Sequence, residues 1–151
     1  MERDYTNIYY DARHTAGLTQ ERWAELLGLS VDAVKQYEAG KITPSDEVVL
    51  RMAEAAGQHI ICYWHLLHKS RVAGQILPQI ERRTLPEAVL TLLTRLQRFQ
   101  SGNLSQLMEL AADGKIDENE VRDFGGCLDE LRELIQAAYQ IEYAGQGGTD
   151  P

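Results

Sequence analysis

The stretch from Leu18 to Glu38 reads LTQERWAELLGLSVDAVKQYE. Thr19 is placed to cap a helix over Gln20 to Leu27 that stops at Gly28, and Ser30 to cap a second over Val31 to Ala39 that stops at Gly40. Three residues, Gly28-Leu29-Ser30, join the two. Ala24 sits at the packing position of the first helix and is small enough to let the helices cross closely, with Val34 at the matching position of the second. Gly28 can take the left-handed conformation that ends a helix. A close crossing, a tight glycine turn and a second helix with one apolar face are the requirements of a helix-turn-helix, whose second helix enters the DNA major groove.

Outward from this stretch, breakers mark further helix-length pieces. Thr6 to Thr15 precedes Gly17, and Pro44-Ser45 open a segment that ends at Gly57, with Asp46 and Glu47 near its positive end. Gln58 to Lys69 is apolar nearly all round, through Ile60, Ile61, Tyr63, Trp64, Leu66 and Leu67, the pattern of a helix buried on several sides. The expected organisation is a helix-turn-helix DNA-binding domain over 1–69, a linker over 70–84 containing Gly74 and Pro78, a C-terminal helical dimerisation or regulatory region over 85–144, and a disordered tail over 145–151. In the C-terminal region Pro86 marks a first helical position, followed by a stripe of Val89, Leu92, Leu93, Leu96 and Phe99. A further helix over Leu104 to Ala112 follows a break at Gly102-Asn103. Asp117 begins the longest helix, to about Ala144, with Asp117-x-x-Glu120 as a capping box. Val121, Phe124, Leu128, Leu131, Ile135 and Ala138 form an a/d seam suited to a packed hairpin or a dimer face, and Gly125-Gly126 mark a kink or a close crossing.

The whole is expected to be all-α: a five-helix N-terminal domain followed by a helical hairpin or small bundle. The chain has 151 residues, 44% of them apolar, enough for one medium domain or two small ones. No apolar run is long enough to span a bilayer, and MERDYTNIYY lacks a basic-then-apolar leader pattern, so a cytoplasmic protein is expected. Cys62 and Cys127 lie far apart with no CxxC, against a disulfide scaffold or zinc ribbon. GxSxG, HExxH and GxxxxGK are all absent, so no enzyme and no cofactor is expected.

With the motif and its flanks in view, the chain resembles the Cro/repressor-type helix-turn-helix regulators, the XRE family. The matching residues are Thr19-Gln20, Ala24, Leu27-Gly28, Ser30, Val34, Glu38, Gly40-Lys41 and Pro44-Ser45, and the likeness covers roughly Thr6 to Gly57, a little over a third of the chain. The resemblance implies that Gln20 touches phosphate from the start of the second helix and that Val31, Asp32 and Gln36 face base edges from the third. Helical spacing agrees with the second part: with Val34 and Tyr37 turned inward, positions 31, 32, 35 and 36 lie outward. Gln36 can pair bidentately with adenine, Val31 can pack on a thymine methyl, and Asp32 can accept only from cytosine N4. Lys35, Lys41 and Thr43 are candidate phosphate contacts. The resemblance also implies that Arg13 pairs with Glu38, tying the first helix to the third. A role in maintaining the fold is favoured over one that aims Arg13 at phosphate.

Tyr9, Ala12 and Trp23 depart from the family's aliphatic pattern, and a small Ala12 against a large Trp23 fits a volume exchange in one core. Charge is the larger departure. Lys and Arg number 15 against 23 Asp and Glu, giving −8, divided equally on either side of Gly57. A single domain with so few cations should hold DNA weakly, which makes a homodimer close to a requirement. The reading is a sequence-specific DNA-binding transcriptional regulator on a palindromic operator. The alternative is a protein-interaction module that keeps the fold without DNA and binds an unidentified protein partner. His59, Cys62, His65 and His68 recur every third residue, but that step carries the outer two to opposite faces of a helix, so no metal site is expected. Asp113 to Asp117 with Glu120 imitates half a calcium loop, but Glu109 and Ala111 stand where its first half needs Asp.

Overall fold

The chain meets its predicted stops with the backbone geometry they were chosen for. In the computed structural model, which describes residues 8–112 and 114–146, α1 is Ile8–Thr15, α2 Gln20–Leu27, α3 Val31–Glu38, α4 Asp46–Ala56 and α5 Ile60–Lys69. Gly28 ends α2 at φ 65° and Gly57 ends α4 at φ 63°. In both turns the next residue reaches back: Leu29 N donates to Ala24 O, and Gln58 N to Ala53 O, each at 2.9 Å. Such closures satisfy carbonyls that the helix end leaves open, and the left-handed residue they need is cheapest as glycine. Among the described residues there is no β-strand, and the fold is all-helical. No helix among them is long and apolar enough to cross a membrane.

The described chain divides into two compact units. One runs to Gln79 and takes the chain in again from Gly145; the other is Ile80–Ala144. In the first, α1 packs on α3, α4 and α5, and α2 on α3 and α4. Trp23, Trp64, Tyr9, Leu27, Met52, Ile60 and Ile61 are fully buried, and Ala12, at 0% exposure, shares this core with Trp23. Gln58 is buried with them because its Nε2 donates to Ala12 O at 3.0 Å, pairing the carbonyl end of α1. Close packing of this kind makes each large side chain worth about 3–5 kcal/mol against truncation to alanine. On α5 the all-round apolar pattern is misleading: Ile60, Ile61, Tyr63 and Trp64 are buried, whereas Leu66 is 47% exposed. The stretch expected as a linker is partly structured. It holds a short helix, α6 (Ala73–Ile76), with Ala73 buried, and Tyr63 Oη donates to Pro78 O at 2.6 Å. Of the expected tail, Gln146 accepts from Ile60 N at the start of α5, and 147–151 lie outside the described residues, as do 1–7.

In the second unit α7 (Leu85–Arg98) opens with a reciprocal capping box between Thr84 and Glu87, and Pro86 stands second rather than first in the helix. The break expected at Gly102-Asn103 does not occur. A π-helical segment, Phe99–Asn103, carries α7 directly into α8 (Leu104–Leu110). The wider turn takes the weak helix formers without stopping, with Ser101 Oγ donating to Arg98 O at 3.0 Å and Phe99 buried. The longest helix, α9, is Val121–Glu142 and begins four residues after Asp117. Asp117 Oδ1 accepts from Glu120 N at 3.1 Å and Glu120 Oε2 from Asp117 N at 3.0 Å. The box therefore closes one turn ahead of the helix proper. Asp113, the first residue of the calcium-like run, is outside the described residues.

α7 and α9 pack on one another, stitched where Arg95 donates to Glu133 O at 2.6 Å and to Gln136 Oε1 at 3.0 Å. The line that α9 buries is not the a/d seam. Cys127, Ala137 and Gln140 are buried, while Val121 and Ile135 are 59% and 50% exposed and Phe124, Leu128 and Leu131 are half-buried. At helical spacing the two lines are more than a quarter turn apart. The apolar residues on the buried line, Cys127 and Ala137, are small, with Cys127 Sγ against Asn103 and Gln106, and the bulkier seam is left on the flank.

Candidate nucleic-acid interface

The site begins with what holds α3 from behind. Ser30 Oγ accepts from Ala33 N at 3.1 Å, capping the helix, and Val34 and Glu38 are buried. Arg13 meets Glu38 side-on: Nε donates to Oε1 at 2.5 Å and the second guanidinium nitrogen to Oε2 at 3.0 Å. A third donor bonds Leu18 O at 2.7 Å. Donating to the Glu38 carboxylate raises the Arg13 pKa above its ordinary value. Both side chains are almost wholly buried, so the pair locks α1 to α3 and keeps Arg13 off the surface.

The opposite side of α3 carries Asp32 and Lys35 exposed and Val31 and Gln36 half-buried, all on one outward face. The two candidate base readers are engaged with each other: Gln36 Nε2 donates to Asp32 Oδ2 at 2.6 Å, one helical turn apart. Bidentate pairing of Gln36 with adenine requires that amide to turn away from Asp32. After α3, Lys41 N and Ile42 N both return to Gln36 O, at 3.0 and 3.4 Å, so the loop is folded back against the end of the helix. Lys41, Ile42 and Thr43 are exposed, and Pro44 is buried behind them. The loop therefore presents a lysine, a branched apolar side chain and a hydroxyl beside the helix face. Ile42 was invisible to pattern reading, since a single apolar residue in a turn carries no periodic signal.

Gln20 does not present its amide outward. Its Nε2 donates to Glu38 Oε2 at 2.7 Å, which makes it a third member of the Arg13–Glu38 lock. The N-terminus of α2 is capped by Thr19, whose Oγ1 accepts from Arg22 N at 3.2 Å. The remaining cations of this unit are divided by the same accounting. Arg22 is paired with Glu25 on α2, and Arg51 donates to Leu27 O at 2.6 Å, closing the turn between α2 and α3. Of the cations on α2, on α3 and in the loop after it, Lys35 and Lys41 are those that no carboxylate of the described residues engages. Together with the outward face of α3 they define the candidate surface.

A polar relay on the other side of the unit had no motif to announce it. Tyr9 Oη lies 2.7 Å from His65 Nδ1, and His65 Nε2 is 3.2 Å from Asp46 Oδ1, which also accepts from Lys69 Nζ at 2.6 Å. Burial lowers the His65 pKa and pushes Tyr9 up to about 12. A neutral imidazole that donates from Nε2 to Asp46 and accepts from Tyr9 at Nδ1 satisfies every partner. This explains His65 within the periodic His/Cys run; His59 and His68 are exposed. The only hint in the sequence was one polar residue on the apolar side of α5.

Compared with known proteins, residues 11–59 match a family model described as a helix-turn-helix domain. No curated protein and no solved structure matched the chain. The matched span begins on α1, contains α2, α3 and α4 and ends just before α5, and so holds both the Arg13–Glu38 lock and the exposed α3 surface. About a third of the chain is thus similar to a helix-turn-helix domain.

Proposed function

We propose that the protein is a cytoplasmic, sequence-specific DNA-binding transcriptional regulator of the Cro/repressor type, acting as a homodimer on a palindromic operator. The observation that carries this reading is the two-sided construction of α3. Its inner side is fixed by Val34 and by the bidentate Arg13–Glu38 pair, and its outer side presents Val31, Asp32, Lys35 and Gln36 beside Lys41 and Thr43. A helix held rigidly on one face and polar on the other suits insertion into the major groove. In this reading Val31 and Gln36 read bases, Asp32 accepts from cytosine, and Lys35, Lys41 and Thr43 contact phosphate. Gln20 acts by buttressing Glu38, with backbone amides at the start of α2 left to meet phosphate.

Two unengaged lysines per copy make a monomer a weak electrostatic binder, so two copies are required for firm binding. The seam on α9 at Val121, Phe124, Leu128, Leu131 and Ile135, exposed at its two ends and half-buried between them in the single chain, is assigned to that dimer. The experiment is a titration of DNA fragments with the purified protein at low and moderate salt, alongside Gln36→Ala and Lys41→Ala. Gln36→Ala should relax discrimination at one base position, and Lys41→Ala should weaken binding on all sequences. A second reading, a protein-interaction module without DNA, is favoured by the Asp32–Gln36 bond and the net charge of −8. It predicts no salt-dependent DNA binding from a folded dimer.

A further inference from the structure

Away from the α3 surface, the first unit holds an open groove of about 680 Å³ between α4, α5 and the start of α6. Its walls are apolar: Val49 and Leu50 from α4, Cys62 and Leu66 from α5, and Val72 beyond. Leu50, Leu66 and Val72 are among the most exposed large apolar side chains of this unit, at 55%, 47% and 67%. None of them belongs to the lock behind α3 or to its outward face. The volume lies in the range of small-molecule sites, and such sites pair an apolar body with a few convergent polar groups.

The polar groups here are Asp46, His65, Lys69 and Arg71. Burial lowers the pKa of His65, which is already engaged by Tyr9 and Asp46. Lys69 is bonded to Asp46. Arg71 is exposed, and no carboxylate among the described residues pairs with it. Two cations against one anion line a groove in a chain whose net charge is −8, so the local sign opposes the molecule's own. A guanidinium without a partner at the mouth of an apolar groove matches a carboxylate, which it can take through two parallel N–H donors. A ligand cation would face Lys69 and Arg71 together.

We propose that this groove binds a small amphipathic acid, with its hydrocarbon body against Leu50, Cys62, Leu66 and Val72 and its carboxylate on Arg71. The site is independent of the DNA reading. The test is calorimetric titration of the full chain with three probes that share a tail and differ in head: octanoate, 1-octanol and octylammonium. Octanoate should bind about fivefold tighter than 1-octanol, the margin of one exposed ion pair, and octylammonium weakest. Arg71→Ala should erase the margin between octanoate and 1-octanol while leaving 1-octanol unchanged, and Leu66→Gln should weaken all three. Both positions are exposed, so each variant should keep the parent's helical circular dichroism, which is recorded as the check on folding. Equal binding of the three heads, a preference for octylammonium, or an octanoate preference that survives Arg71→Ala would overturn the assignment. So would the absence of saturable octanoate binding, or sedimentation showing that Leu66→Gln turns a dimer into a monomer, which would assign the groove to a second copy.

Discussion

The two units bury different kinds of side chain. The first closes on Trp23, Trp64, Tyr9, Met52 and several large aliphatics, and pairs polar groups inside it in the Arg13–Glu38 lock and the Tyr9–His65–Asp46 relay, though the Trp23 indole nitrogen is left without a partner among the described residues. In the second, the apolar residues that α7 and α9 bury are small Ala88, Cys127 and Ala137, while Leu90, Leu93, Met108, Val121 and Ile135 remain at least half exposed. The contrast is between a unit whose core is built from large side chains and one that buries small ones on its paired helices and leaves large aliphatics outside. An isolated chain with that much uncovered apolar area is expected to associate.

The largest effects should fall in the first unit. Glu38→Ala leaves Arg13 buried without its partner and should cost about 3–5 kcal/mol in chemical denaturation, with loss of DNA binding as α3 comes loose. Trp64→Ala should cost a similar amount by leaving a cavity. If either variant were as stable as the parent, the first unit would not rest on its buried side chains. In the second unit Leu128→Glu should leave the helical circular dichroism intact, convert a dimer to a monomer in sedimentation, and thereby weaken DNA binding. A dimer that survives it would remove the α9 seam from the interface.

Legibility followed the same division. The stops at Gly28 and Gly57, the Ser30 and Thr19 caps and the inward Val34 are local requirements of one short stretch, and sequence states them directly. Gln20 was legible only through resemblance, which placed it on phosphate. The structure puts its amide on Glu38, because a contact between side chains 18 positions apart depends on how α2 and α3 cross. The α9 seam shows the limit of periodicity. Heptad spacing marks the bulkiest line of a helix, yet Cys127 and Ala137 were chosen for the packed side because they are small. The π segment escaped for a related reason: Gly102-Asn103 lowers helix propensity, and packing of Phe99 overrides it.

A smaller effect tests the relay. Burial lowers the His65 pKa in the folded state relative to its ordinary value of 6.5, so the unfolded chain binds the extra proton first. The stability that this neutral imidazole contributes is fully present above about pH 6.5 and is lost as pH falls from there toward the folded value. Asp46, held low first of all by Lys69, adds a loss of the same sign at more acid pH. His65→Gln should flatten the slope of stability against pH just below 6.5. An unchanged slope would mean that the imidazole is not what titrates.

The central claim, that the outward face of α3 with Lys35 and Lys41 binds DNA as a dimer, is met most directly by the salt dependence of that binding. With two unengaged lysines per copy, the logarithm of affinity should fall against the logarithm of salt concentration with a slope of about −4. Lys41→Ala, which removes one phosphate contact from each copy, should reduce that slope by about 2. Binding whose slope is indifferent to Lys41→Ala, or no binding at low salt from a folded dimer, would contradict the claim and leave the acidic surface as the place where a protein partner docks.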